Sequence, residues 1–259
     1  MKVVHGIDSL DRSIGRIFVV VGVFDGLHLG HAYLLDELRR AAATHEAKPV
    51  VITFDHHPDE ILTGAAPPLL CDPEERTARL AAAGVEATVV ATFDVALRMT
   101  PYDAFVRAIA ERVDLAGFLM TPESAFGHDR LGTPETVSEL GRSLGYAVEV
   151  VPPLLVDGRP VSSGEIRRAI AAGRLSDAER LLGRPYAVTG TVRGDGVVDV
   201  PMPVALPPTG TYSARIMEMN EAGSTGLPGQ VRVDTGGLTV GAPPLPVGGR
   251  IRVEFATSA

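Results

Sequence analysis

A chain of 259 residues, 45% of them hydrophobic, buries enough surface for one large domain or two modest ones, which excludes an intrinsically disordered protein. Its formal net charge of −8 excludes a broad nucleic-acid footprint, because a surface that tracks phosphates needs a basic stripe; any phosphate ligand must find local positive charge. The single cysteine, Cys71, excludes an intramolecular disulfide and a multi-cysteine metal site, and fits a reducing, cytoplasmic setting.

In chain order, residues 1–16 are mixed and charged rather than an apolar leader, and no run reaches membrane-spanning length, so neither secretion nor a membrane partner is expected. Apolar, β-branched runs then recur at Phe18 to Phe24, Val50 to Phe54, Val85 to Phe93, Gly117 to Thr121 and Ala147 to Val151, and read as strands. Between them Leu34 to Ala43, Pro73 to Ala83, Pro101 to Val113 and Pro134 to Leu144 carry spaced apolar residues. Prolines stand near the starts and Gly84 and Gly145 just past the ends, as helices require. This alternation predicts an α/β, Rossmann-like domain with a mostly parallel sheet. Two more helices are expected at Ser163 to Ala172 and Ser176 to Leu182, the second closed by Gly183-Arg184-Pro185, which places a domain boundary near 185. Beyond it, short alternating runs at Tyr212 to Met217, Gln230 to Val233 and Arg250 to Phe255 predict a small β domain over 186–259. The Pro- and Gly-rich stretches 201–210 and 236–249 read as its loops.

The most informative segment is Gly22-Val23-Phe24-Asp25-Gly26-Leu27-His28-Leu29-Gly30-His31, where the first strand of that pattern turns into a helix. Such a turn aims backbone N–H groups and the positive end of the helix dipole at an anion. His28 and His31 stand one turn apart, so both imidazoles can face one pocket once the helix has begun, with Gly30 leaving room for a phosphate chain. They could then donate to a triphosphate and stabilise departing pyrophosphate, with no covalent nucleophile. Two other readings compete: ordinary polar residues at a helix start, and a zinc site completed by Asp25. The dinucleotide fingerprint Gly-x-Gly-x-x-Gly does not occur at this turn.

These residues resemble the HxGH nucleotidyltransferase superfamily, and the longer string resembles bacterial FAD synthetases. Further segments agree: Thr53-Phe54-Asp55-His56-His57-Pro58, Phe93-Asp94 with Phe105, Phe126-Gly127 with Arg130 and Gly132, Val161-Ser162-Ser163-Gly164-Glu165-Ile166-Arg167, and Leu181 to Tyr186. The resemblance implies adenylyl transfer from ATP to FMN, giving FAD and pyrophosphate, with Mg²⁺ bound through the phosphates and only small-molecule partners. By the same resemblance His28, His31 and Arg167 are catalytic. Gly22, Phe24, Asp25, Gly26, Gly30, Ser162, Ser163 and Ile166 bind nucleotide, and His57, Glu123, Phe126, Gly127 and Arg130 face the acceptor. Ser162-x-x-Glu165 is also a capping box, which needs no ligand.

Departures from the family pattern cluster on the acceptor side. Val23 replaces an asparagine, Thr121, Glu123, Ser124 and Ala125 replace a Gly-x-Asp-Phe-Arg run, and Gly164 replaces a threonine. Lost amide and guanidinium donors point to another phosphorylated acceptor, to CTP as donor, or to a non-catalytic flavin- or nucleotide-binding regulator as alternatives. In the family's riboflavin kinase barrel a Pro-Thr-Ala-Asn segment binds Mg-ATP. Here Pro201-Met202-Pro203-Val204-Ala205-Leu206 stands in its place without hydroxyl or amide, and predicts a shortened barrel without riboflavin kinase activity.

Overall fold

The computed structural model describes residues 1–200, 202–219, 226–241 and 247–257. They form two compact units, residues 1–67 with 76–160, and residues 68–75 with 161–257. Among the described residues no helix is long and apolar enough to cross a membrane.

Up to residue 150 the chain runs β1 (Lys2–His5), β2 (Arg16–Val21), α1 (Leu29–Thr44), β3 (Lys48–Phe54), α2 (Pro58–Thr63), α3 (Pro73–Ala82, its first three residues counted with the second unit), β4 (Ala87–Ala91), α4 (Val95–Arg98), α5 (Tyr102–Ala110), β5 (Asp114–Met120), α6 (Pro134–Leu144) and β6 (Ala147–Val150). A small hairpin follows, of β7 (Leu155–Val156) and β8 (Arg159–Pro160). The six main strands pair in parallel, in the order β1-β4-β3-β2-β5-β6. This is the expected α/β sheet, and alternation explains its two faces. Ile17 and Val19 of β2 pack with Phe105, Val106 and Ile109 of α5, while Phe18 and Val20 pack with Leu35, Leu38 and Ala41 of α1.

Several sequence boundaries shift. β2 stops at Val21 rather than Phe24: Gly22 N–H still donates to the Ile52 carbonyl at 3.0 Å, but Phe24 turns left-handed at φ 53°. α1 begins at Leu29, earlier than Leu34, and β4 covers only 87–91 of the run Val85 to Phe93. β1 is an unforeseen edge strand with one buried residue, Val4.

The second unit holds α7 (Ser163–Ala171), α8 (Leu175–Leu182) and a closed antiparallel barrel of β9 (Ala187–Val192), β10 (Val197–Asp199), β11 (Gly210–Glu218), β12 (Leu227–Asp234), β13 (Gly237–Gly241) and β14 (Arg250–Phe255), ordered β10-β13-β12-β11-β14-β9. The change from helix to barrel falls at residues 183–186, inside this unit, and Gly183 caps α8 in the left-handed region. β13 lies in the stretch expected to be loop; its Leu238 and Val240 point into the barrel with Val231, Val233, Ile251 and Val253. Pro201, where the altered kinase-like segment starts, lies outside the described residues. From Pro203 to Ala205 the segment pairs with Leu69: Leu69 N–H donates to the Pro203 carbonyl and Ala205 N–H to the Leu69 carbonyl, both at 2.9 Å. Arg252 binds Glu75 at 2.7 Å, and Arg250 pairs with Asp72 and Glu74, so residues 68–75 are strapped to β14.

Candidate functional site

At the carboxyl edge of the parallel sheet, where α/β folds bind ligands, the turn after β2 is fixed by its own backbone. The Val23 carbonyl accepts from Thr53 Oγ1 at 3.0 Å and from Arg76 at 3.2 Å, and Arg76 also donates to the Phe54 carbonyl at 2.9 Å. Sequence reasoning overlooked Arg76, because one arginine on an amphipathic helix has no distinguishing pattern. A Cβ at Gly22 would lie 3.0 Å from the Phe24 ring, so the glycine lets that ring fold back over the turn. Asp25, Gly26 and Leu27 are buried beneath it.

His28 is the N-cap of α1: its Nδ1 accepts the His31 backbone N–H at 3.2 Å. A neutral His28 with Nδ1 as acceptor must carry its proton on Nε2, so the bond that starts the helix also makes the far side of the ring a donor. The two imidazoles stack with centroids 3.7 Å apart and planes 16° apart, and Phe24 lies 5.0 Å from His31. The spacing of one turn thus packs the two rings against each other. Burial first, and the neighbouring His28 second, hold the His31 pKa well below the usual histidine value, so His31 is neutral at physiological pH. Its Nδ1 is fully buried with no hydrogen-bond partner among the described residues, the kind of orphan that a ligand explains. Among the described residues no three His, Cys, Asp or Glu side chains cluster as metal ligands.

Beside this turn a cavity of about 620 Å³ opens, walled by Val21, Gly22 and Val23 and by aromatic rings of four elements or loops, Phe54, Phe93, Phe105 and Phe126. Glu123, Gly127 and Arg130 line it too, so of the expected acceptor residues only His57 is missing. Its neighbour Pro58 reaches the wall, whereas the His57 ring is held by capping α2, Nδ1 accepting the Asp59 N–H at 3.2 Å. The loop that carries Phe126 closes through paired backbone bonds with Gly132 and through His128 N–H to the Thr100 carbonyl at 2.8 Å. Gly127 is obligatory there: φ is 75°, and a Cβ would meet the Tyr102 backbone at 2.6 Å. Asp55 anchors the opposite wall. Its partial burial raises its pKa, but hydrogen bonds from Phe93, His56 and Thr92 outweigh that and leave it lowered, an ionised anchor rather than a base.

Ser162, Ser163, Gly164, Ile166 and Arg167 belong to the second unit. Ser162 caps α7 by accepting the Glu165 N–H at 3.2 Å, as the capping reading expects; Ile166 is core, and Arg167 donates to the Pro68 carbonyl at 2.8 Å. Gly164, in the first turn, has no atom within 4 Å of where a Cβ would stand.

The FAD synthetase family model matches residues 11–165. Bifunctional riboflavin kinase/FMN adenylyltransferases are similar: that of Pseudomonas fluorescens is 30% identical over 193 residues, 74% of this chain and 62% of the relative. That of Escherichia coli strain K12 is 27% identical over 248 residues, 91% and 78%. The chain spans about three fifths of the length of the first of these. A crystal structure described as a macrolide-efflux protein from Streptococcus pneumoniae shares the fold, with TM-score 0.81 and 22% identity over 98% of this chain and 90% of that one. With more than half its length matched by that model, the chain belongs to the FAD synthetase family.

Proposed function

We propose that the chain is an FMN adenylyltransferase, moving AMP from ATP to FMN. An FMN phosphate oxygen attacks the α-phosphorus, the bond to the β-phosphate breaks, and pyrophosphate leaves with the electron pair. The observation that carries this reading is the stacked His28–His31 pair set beside an aromatic cavity that shares the Gly22–Val23 wall. His28 offers Nε2–H to the phosphates and the start of α1 adds backbone donors, so the protein lowers the barrier by holding two anions together and stabilising the leaving charge. His31 stays neutral and packs His28 in place. Gly30, Phe24 and Asp25 shape the nucleotide side; Glu123, Phe126, Gly127 and Arg130 shape the acceptor side. The serine segment, with Arg167, enters as the resemblance implies, as a binder of nucleotide phosphate. Mg²⁺, on this reading, travels with the phosphates.

The barrel is proposed to lack riboflavin kinase activity, because Val204, Ala205 and Leu206 offer no hydroxyl or amide to a metal-bound nucleotide. Incubation with labelled ATP and either FMN or riboflavin tests both halves. Labelled FAD and pyrophosphate are expected from FMN, and no FMN from riboflavin. Pyrophosphate released only with another phosphorylated acceptor, or only from CTP, would instead favour the alternative suggested by Val23 and Ala125 in the cavity wall.

A further inference from the structure

The cavity wall contains a second arginine, Arg98, at the end of α4. Its Nη1 donates to the Ile61 carbonyl at 3.2 Å; Glu123 and Asp129 line the same cavity, but Asp129 lies 3.4 Å from His128 Nε2, and among the described residues neither Arg98 nor Arg130 forms an ion pair with a carboxylate. Most other guanidinium groups of this acidic protein are paired with Asp or Glu, as Arg16, Arg112, Arg232 and Arg252 are. Two unpaired cations on the rim of an aromatic cavity are a poor use of charge unless an anion joins them. They are also brought together by the backbone. The His128 N–H to Thr100 carbonyl bond ties the loop carrying Arg130 to the chain two residues past Arg98, and Thr100 Oγ1 donates back to the Ala96 carbonyl at 2.8 Å.

We infer that Arg98 is a specificity-determining residue that, with Arg130, reads the phosphate of a ring-bearing acceptor. This rests on the FMN reading above. The aromatic rings supply affinity for the planar ring system whatever its charge, while the two guanidiniums distinguish a phosphomonoester from its neutral alcohol.

Flavin fluorescence titrations with FMN and with riboflavin, on wild type, Arg98→Ala and Arg98→Lys, test it. Arg98→Ala should weaken FMN binding by about tenfold or more, the usual scale for a lost charge-assisted hydrogen bond, and leave riboflavin binding within about twofold. Arg98→Lys should recover part of the FMN affinity, since charge returns without the planar fork. The unchanged riboflavin affinity guards against a merely collapsed cavity. An equal loss for both flavins, or no loss for either, overturns the role of Arg98 while leaving the FMN reading intact if the wild type binds FMN and forms FAD. A wild type that binds neither flavin takes both conclusions down.

Discussion

The sheet edge of the first unit and the barrel of the second follow opposite rules. At the sheet edge the backbone geometry is unusual and the side chains are chemically particular: a left-handed Phe24, an obligatory Gly127, stacked histidines and a histidine cap. In the barrel the strands alternate in a regular way, Ile251, Val253 and Phe255 inward and Arg250, Arg252 and Glu254 less buried, while the segment at 202–206 carries no hydroxyl, amide or charged side chain. The difference teaches that a closed barrel needs only period-two burial, whatever its loops carry, whereas the turn after β2 ties the start of a helix and a particular side chain, His28, to the same atoms.

The largest effect that would sharpen this contrast comes from His28. Replacement by alanine removes the ring donor and the cap together, and FAD formation should fall by about 10²–10³-fold, the scale for losing one preorganised donor. Stability should drop by about 1 kcal/mol, the ordinary cost of an N-cap. His28→Asn separates the two, because asparagine caps well but cannot place a donor where Nε2 stands. Its stability should return to that of the wild type while FAD formation stays low. If His28→Asn kept both, the ring would be a cap alone and the proposed chemistry would be wrong.

That coupling also makes the histidine turn visible in the sequence as a candidate. His28 and His31 announce themselves through spacing at a strand-to-helix turn, whereas Phe126-Gly127 is marked only by its resemblance to the family's segment. Other parts leave weaker traces. β1 has Lys2 and His5 flanking two valines and buries only Val4, so no alternation marks it. β13 is framed by Gly236, Gly237 and Gly241, which imitate a loop. The cavity takes Phe54, Phe93, Phe105 and Phe126 from separate segments, and only the β-α crossovers bring them together. Arg98 was overlooked for the same reason: its meaning lies in the absence of a carboxylate, which a sequence does not display.

In the barrel unit the corresponding break lies in the strap rather than in a loop. Arg252 and Glu75 are each only about an eighth exposed and meet at 2.7 Å. Burial works against the charge of Arg252, and Glu75 and Glu254 more than offset it, holding its pKa above the usual value. Arg252→Met should cost ~2–3 kcal/mol in urea unfolding, below the ~3–5 kcal/mol of a wholly orphaned buried charge, because Arg184 remains 3.7 Å from Glu75. A change under 0.5 kcal/mol, the range of surface substitutions, would show that the strap is decoration and the barrel stands without it.

Acid distinguishes the units differently. His31 has a folded pKa below its unfolded value of about 6.5, so in the window beneath that value the unfolded chain takes up a proton that the native state refuses. Its contribution is therefore complete above pH 6.5 and is lost progressively as pH falls towards the folded pKa. The melting temperature should decline below pH 6.5, and His31→Gln should flatten that part of the decline. An identical slope in the variant would mean that His31 protonates freely in the folded protein.

The smallest expected effect tests whether the serine segment is tuned for stability. Gly164 sits in the first turn of α7, where a glycine costs conformational entropy and, with no atom within 4 Å of its missing Cβ, avoids no clash. Gly164→Ala should therefore stabilise the protein by roughly 0.5–1 kcal/mol, read from the denaturant midpoint at an unchanged slope. Gly164→Thr, which restores the residue type of the family pattern, should gain less, because β-branching gives back about half of the helix propensity of alanine over glycine. A loss of stability with alanine would mean that backbone freedom, rather than open space, is what the helix start requires at this position, and that Ser162 and Ser163 depend on it for their orientation.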